Sequence, residues 1–125
     1  MKKIITTMLL LGPVVLIAQT ATDVSKALRY RKYSTAEKTA RQLIATQPVN
    51  AAHWYWLTQV MIQEKDSAGL AKLPSALPQE IVKDPWYEIV TGAVSLNNGL
   101  TTEARQHFDA AVKATRGKNP EILAA

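Results

Sequence analysis

From Tyr33 onward, apolar and small residues fall into helical stripes separated by turn chemistry. Ser34-Thr35-Ala36-Glu37 has the capping-box pattern, a hydroxyl followed three residues later by a glutamate. Ala36, Ala40, Leu43 and Ile44 then share one helix face, which predicts a helix from about Thr35 to Thr46. Pro48 stops it, because proline has no N–H for a further turn. Asn50 is placed to cap the next helix, carried to Glu64 by Trp54, Leu57, Val60 and Met61, with Lys65-Asp66 as its turn. Upstream, Val24, Ala27 and Leu28 form the inner face of a helix over about Thr22 to Arg31.

Downstream the pattern weakens and then recovers. Leu70, Ala71 and Leu73 continue an apolar face, but Pro74 and Pro78 predict a helix ending near Leu73, then a loop. A short turn is expected over Pro78 to Lys83. Asp84-Pro85 restarts the helical array as N-cap and first-turn proline, followed by Trp86, Ile89, Val90, Ala93 and Leu96. Asn97-Asn98-Gly99 closes that helix. Thr101 or Thr102 caps another through Ala104, Phe108, Ala111 and Val112, which Gly117 ends. Asn119-Pro120 opens a last turn, Glu121 to Ala125, whose apolar face predicts a longer parent protein.

These hairpins repeat at a step of 34 residues, which aligns Ala36 with Leu70 and Ala104, and Leu28 with Ile62 and Leu96. The same step aligns Ala40 with Pro74 and Phe108, and Arg31 with Lys65 and Gly99. A fixed period of this size with helix–turn–helix content signals a repeat array. The chain resembles the tetratricopeptide repeat family, through Trp54-x2-Leu57-Thr58-x2-Met61, Ala36-x3-Ala40…Pro48, and Gly92…Ala104-x3-Phe108. Thr58 and Met61 depart from the family's glycine and tyrosine. The resemblance implies an all-α fold, a right-handed α-solenoid of about three repeats and the start of a fourth. The repeats span about 21–50, 51–84 and 85–118, with a partial copy over 119–125.

The amino terminus has a different composition. Met1-Lys2-Lys3, an apolar run from Ile4 to Ala18 and the polar Gln19-Thr20 have the n-, h- and c-region order of a signal peptide. The run is about 15 residues, shorter than a bilayer-spanning helix needs, and Gly12-Pro13 interrupts it. The expected organisation is a signal peptide over 1–20 and a repeat domain over 21–125, in a periplasmic or secreted protein. Contact with a membrane is expected only through that segment, if it stays uncleaved. Without Lys2 and Lys3, 13 basic residues face 10 acidic ones, and net charge falls from +5 to +3.

The remaining excess is local: Lys26, Arg29, Arg31, Lys32, Lys38 and Arg41 crowd the first repeat, with Glu37 the one acid among them. An exported protein rarely meets nucleic acid, so the reading is a solvated helix face or else a dock for an acidic partner or anionic surface. With no cysteine, disulfides, thiolate metal sites and cysteine nucleophiles are excluded. His53 and His107 stand alone, without metal-ligand spacing, and no phosphate-binding or nucleophile motif occurs. No catalytic site, cofactor or small-molecule substrate is expected.

The function left is recognition, and the resemblance implies a concave groove lined by the first helix of each repeat. The candidates it gives are Tyr55, Gln59, Ile62 and Gln63 in the second repeat, and Trp86, Ile89, Ala93 and Asn97 in the third. In the first they are Ser25, Leu28 and Arg29, with Lys32 beside them. Trp54 and Leu57 are core, Ile62 and Leu96 are open to either reading, and Tyr55 and Trp86 are the expected aromatic anchors. One subgroup of the family clamps a terminal carboxylate, but the matching slots hold Ala21, Ser25, Trp56, Trp86 and Val90, so that ligand is not implied. The expectation is a non-enzymatic scaffold for a protein or peptide with an apolar or mixed surface. The competing expectation is an accessory region of a larger exported enzyme.

Overall fold

The computed structural model describes residues 20–115 together with 122, 124 and 125. Among the described residues there is no strand, and the fold is all-α. The helices are α1 (Ala21–Arg29), α2 (Tyr33–Thr46), α3 (Ala51–Glu64), α4 (Ser67–Ala76), α5 (Pro85–Asn97) and α6 (Thr101–Thr115). A 3-10 turn, Gln79–Ile81, lies between α4 and α5. None of these helices is long and apolar enough to cross a membrane.

Most helix starts are built as the side chains dictate. The Asp23 carboxylate accepts the Thr20 amide at 2.7 Å, and Asn50 accepts from the Ala52 amide at 3.2 Å. Asp66 accepts from Gly69 at 2.9 Å, and Asp84 from Trp86 at 2.9 Å with Pro85 in the first turn. Each pairing satisfies an amide that the helix itself leaves free.

The turns between helices carry the period in their hydrogen bonds. Arg31, Lys65 and Gly99 all adopt positive φ, at 58°, 59° and 79°. The next amides, of Lys32, Asp66 and Leu100, bond back to the carbonyls of Ala27, Met61 and Ser95. The amides of Arg31, Lys65 and Gly99 reach Leu28, Ile62 and Leu96. This is a Schellman C-cap, made three times at a step of 34 residues. The carbonyls of Lys32, Asp66 and Leu100 then accept from Ala36, Leu70 and Ala104, so one residue links two helices each time.

That economy shifts one expected boundary. Ser34 does not cap α2, because the Lys32 turn has already begun the helix at Tyr33. A second boundary moves the other way. Helix α4 runs through Pro74 to Ala76 rather than ending near Leu73. Proline there forgoes the amide bond to the Leu70 carbonyl, a loss of about 3 kcal/mol in a helix interior that weighs less two residues from the end. Pro78 supplies the stop: Leu77 before it is extended, at φ −67° and ψ 134°. The 3-10 turn that follows places Ile81 in the core at 2% exposure.

Helices α1, α3 and α5 pack one on the next, and α2, α4 and α6 each pack on the helix they follow. Helix α2 also lies against α3, and α4 touches α5. The main core runs from Val24 and Ala36 through Leu57, Val60 and Leu70 to Val90 and Val94. Burying a side chain such as Leu57 contributes about 1.5–3 kcal/mol. A second cluster joins Ile89, Ala111 and Ile122, with half-buried Phe108 against it. Gly92 lets α6 approach α5: a Cβ there would lie 2.6 Å from Phe108 Cε1. Leu96 is exposed rather than core. The residues over 1–19 and 116–121, with the signal segment, Gly117 and Asn119-Pro120, lie outside the described residues.

Candidate functional site

A groove opens where α1 lies beside α3. Ser25, Leu28 and Arg29 line it from α1, at i, i+3 and i+4, which places them on one face. Tyr55, Gln59 and Gln63 form a second stripe along α3, each a turn beyond the last, with Trp56 at its edge. The groove is open to solvent, with a volume of about 320 Å³, at the small end of ligand pockets. Helix α1 can hold these residues at the rim because Val24 and Ala27, on its other face, are buried in the core.

The lining is rich in hydrogen-bond donors. Among the described residues the side chains of Ser25, Arg29, Tyr55, Trp56, Gln59 and Gln63 have no hydrogen-bond partner. On the buried side of α3, by contrast, Trp54 donates to the Pro48 carbonyl at 2.8 Å, and Thr58 to the Trp54 carbonyl at 2.7 Å. Arg29 is the charged member of the lining. Burial raises the Tyr55 phenol above its ordinary value of 10.0, so it is a neutral donor at physiological pH.

The structure thus gathers Arg29, Tyr55, Gln59 and Gln63, with Ser25 and Leu28, around one cavity. The other candidates lie elsewhere. Ile62 is half-buried against the main core, and Lys32 is exposed beyond the end of α1. Trp86 is half-buried and lies against Tyr55, with ring centroids 4.9 Å apart. Ile89 is 3% exposed in the second cluster, where it is closed to a ligand. Ala93 is half-buried and Asn97 exposed along α5, neither of them lining the cavity. Trp56, which the resemblance gave only as a slot of the carboxylate-clamping subgroup, also lines the groove. Its signal was its place three residues before Gln59 and seven before Gln63, on the same stripe.

Two charged clusters lie outside the groove. Arg41 bonds Glu37 at 2.7 Å, and the Glu64 carboxyl is raised above its ordinary value by partial desolvation and then by the Glu37 charge. His107 Nδ1 lies 2.6 Å from the Glu88 carboxylate and 3.3 Å from the Thr91 hydroxyl, tying α6 to α5. Among the described residues no three His, Asp or Glu side chains are grouped to hold a metal ion.

No family model, curated protein or solved structure matches the chain.

Proposed function

We propose that this chain is an exported, non-enzymatic scaffold of tetratricopeptide type, its hairpins stacked as a right-handed α-solenoid, that binds a protein or peptide between α1 and α3. The observation that carries the reading is the Schellman cap made three times at a 34-residue step. A backbone motif recurring at that period is what stacked helix–turn–helix units produce. The succession of α1, α3 and α5, each backed by its own partner helix, agrees with it. Export rests on Lys2-Lys3 and the apolar run behind them.

A photo-crosslinking residue tests the binding face. Placed at Gln63, in the groove, it is expected to form covalent adducts with a protein partner in cells. Placed at Lys72, exposed on α4 outside the groove, it is expected to form none. Equal adducts at both positions, or none at Gln63, would reject the groove as the binding face. The mass of the cellular protein tests export. A start between Gln19 and Ala21 is expected, and recovery of the intact Met1 form would reject cleavage.

A further inference from the structure

We infer that the ligand of the α1–α3 groove is an acidic stretch of polypeptide, with a carboxylate held by Arg29 and its backbone by Gln59 and Gln63. The inference rests on the groove as the binding face and adds the chemistry of what fills it.

Charge gives the first argument. Arg29 lines the cavity, is exposed, and has no ion-pair or hydrogen-bond partner among the described residues. Arg41, one hairpin helix away, is instead paired with Glu37 at 2.7 Å. No acidic residue lines the groove, and none occurs between Val24 and Ala36, where Lys26, Arg29, Arg31 and Lys32 all fall. A guanidinium among unpaired neutral donors presents five N–H groups in the fork geometry that fits a carboxylate. The Ser25 and Tyr55 hydroxyls and the Trp56 indole N–H add donors around it.

The two glutamines decide between a peptide and a simple anion. Gln59 and Gln63 stand four residues apart on α3, about 6 Å along the axis. Each amide offers both a donor and an acceptor, which complements the C=O and N–H of an extended backbone. A compact anion on Arg29 lacks the alternating donors and acceptors, about 3.3 Å apart per residue, with which an extended backbone can engage both amides. The flanking Lys26 and Lys32 then speed encounter with further acidic residues and matter mainly at low salt.

The test uses the full chain and two capped octapeptides, one alternating glutamate and alanine, the other glutamine and alanine. Binding is followed by NMR at the Trp56 indole and the Gln59 and Gln63 side-chain amides. The glutamate peptide should shift all three and bind about fivefold tighter than the glutamine peptide at low salt. Arg29→Gln should remove most of that preference, whereas Lys72→Gln, outside the groove, should leave it intact. Gln59→Ala with Gln63→Ala should weaken both peptides alike. Equal binding of the two peptides in the groove would overturn the acidic ligand and keep the binding face. No shift at any groove signal with either peptide would overturn both. Loss of preference in Lys72→Gln would mean that overall charge, not Arg29, attracts the peptide, and would overturn the assignment. Vesicles containing phosphatidylglycerol, or inorganic phosphate at matched ionic strength, should not displace the glutamate peptide. Displacement by either would replace the peptide with an anionic surface or a free anion.

Discussion

Tyr55 and Trp86 meet with their ring centroids 4.9 Å apart and their planes tilted by 48°, a contact that joins α3 to α5. Both rings touch the main core and the second cluster, so the pair fastens the two together. Anchors read from sequence as two separate groove contacts are in space one joint. An aromatic pair of this geometry contributes about 0.5–1.5 kcal/mol beyond the area it buries. A double-mutant cycle of Tyr55→Ala and Trp86→Ala in urea denaturation should return a coupling energy in that range. Additive losses would show that the rings act independently.

The left-handed turns give a prediction of opposite sign. Lys65 holds φ at 59° in the place where Gly99 holds 79°, and a side chain there costs about 1 kcal/mol that glycine avoids. Lys65→Gly should therefore stabilise the protein by about 0.5–1 kcal/mol, and Gly99→Ala should destabilise it by a similar amount. Thermal melts would read both. Destabilisation by Lys65→Gly would mean that its side chain contributes more than the backbone costs.

Gly92 tests the closest helix approach. An added Cβ would meet Phe108 Cε1 at 2.6 Å and His107 Cβ at 3.1 Å, so the phenyl ring has to move. Gly92→Ala should cost about 1–3 kcal/mol through overpacking, and Phe108→Leu in the same chain should recover part of it. A neutral Gly92→Ala would show that α6 shifts freely, and the contact would then set no register.

Where a local interaction decides, the sequence was readable. Asn50 and Asp84 bond the amides their positions predict, and Gly99 turns left-handed where the asparagine–glycine run requires it. Ser34 misled because a neighbouring backbone signal overrode it: Lys32, whose amide closes the C-cap on Ala27, already accepts the Ala36 amide and starts α2. Pro74 misled because a proline near a helix end costs less than one at its centre. Tyr55, Gln59 and Gln63, which the family resemblance implied, share one stripe of α3 and line the groove. Ile89, on an equivalent stripe of α5, was not legible as core, because its burial depends on Ala111 and Ile122 far along the chain.

The last prediction concerns acid. His53 stands near the start of α3 with Nδ1 buried and without a hydrogen-bond partner among the described residues. Desolvation holds its pKa below the ordinary 6.5, and the backbone at Leu43 and Gln47 opposes that shift without reversing it. As pH falls, the unfolded chain therefore takes up this proton before the folded one. The stability gained by burying the neutral ring is fully present above 6.5 and is lost as pH falls through the lower, folded value. The urea midpoint should thus decline between about pH 7 and about pH 5, before most carboxylates titrate. His53→Gln keeps a polar side chain that takes up no proton, so its midpoint should decline less over the same interval. Other groups are common to both proteins, and the difference between the two curves isolates His53. A difference that stays constant from pH 7 to pH 5 would show that the ring protonates as easily folded as unfolded, and that its burial carries no acid penalty.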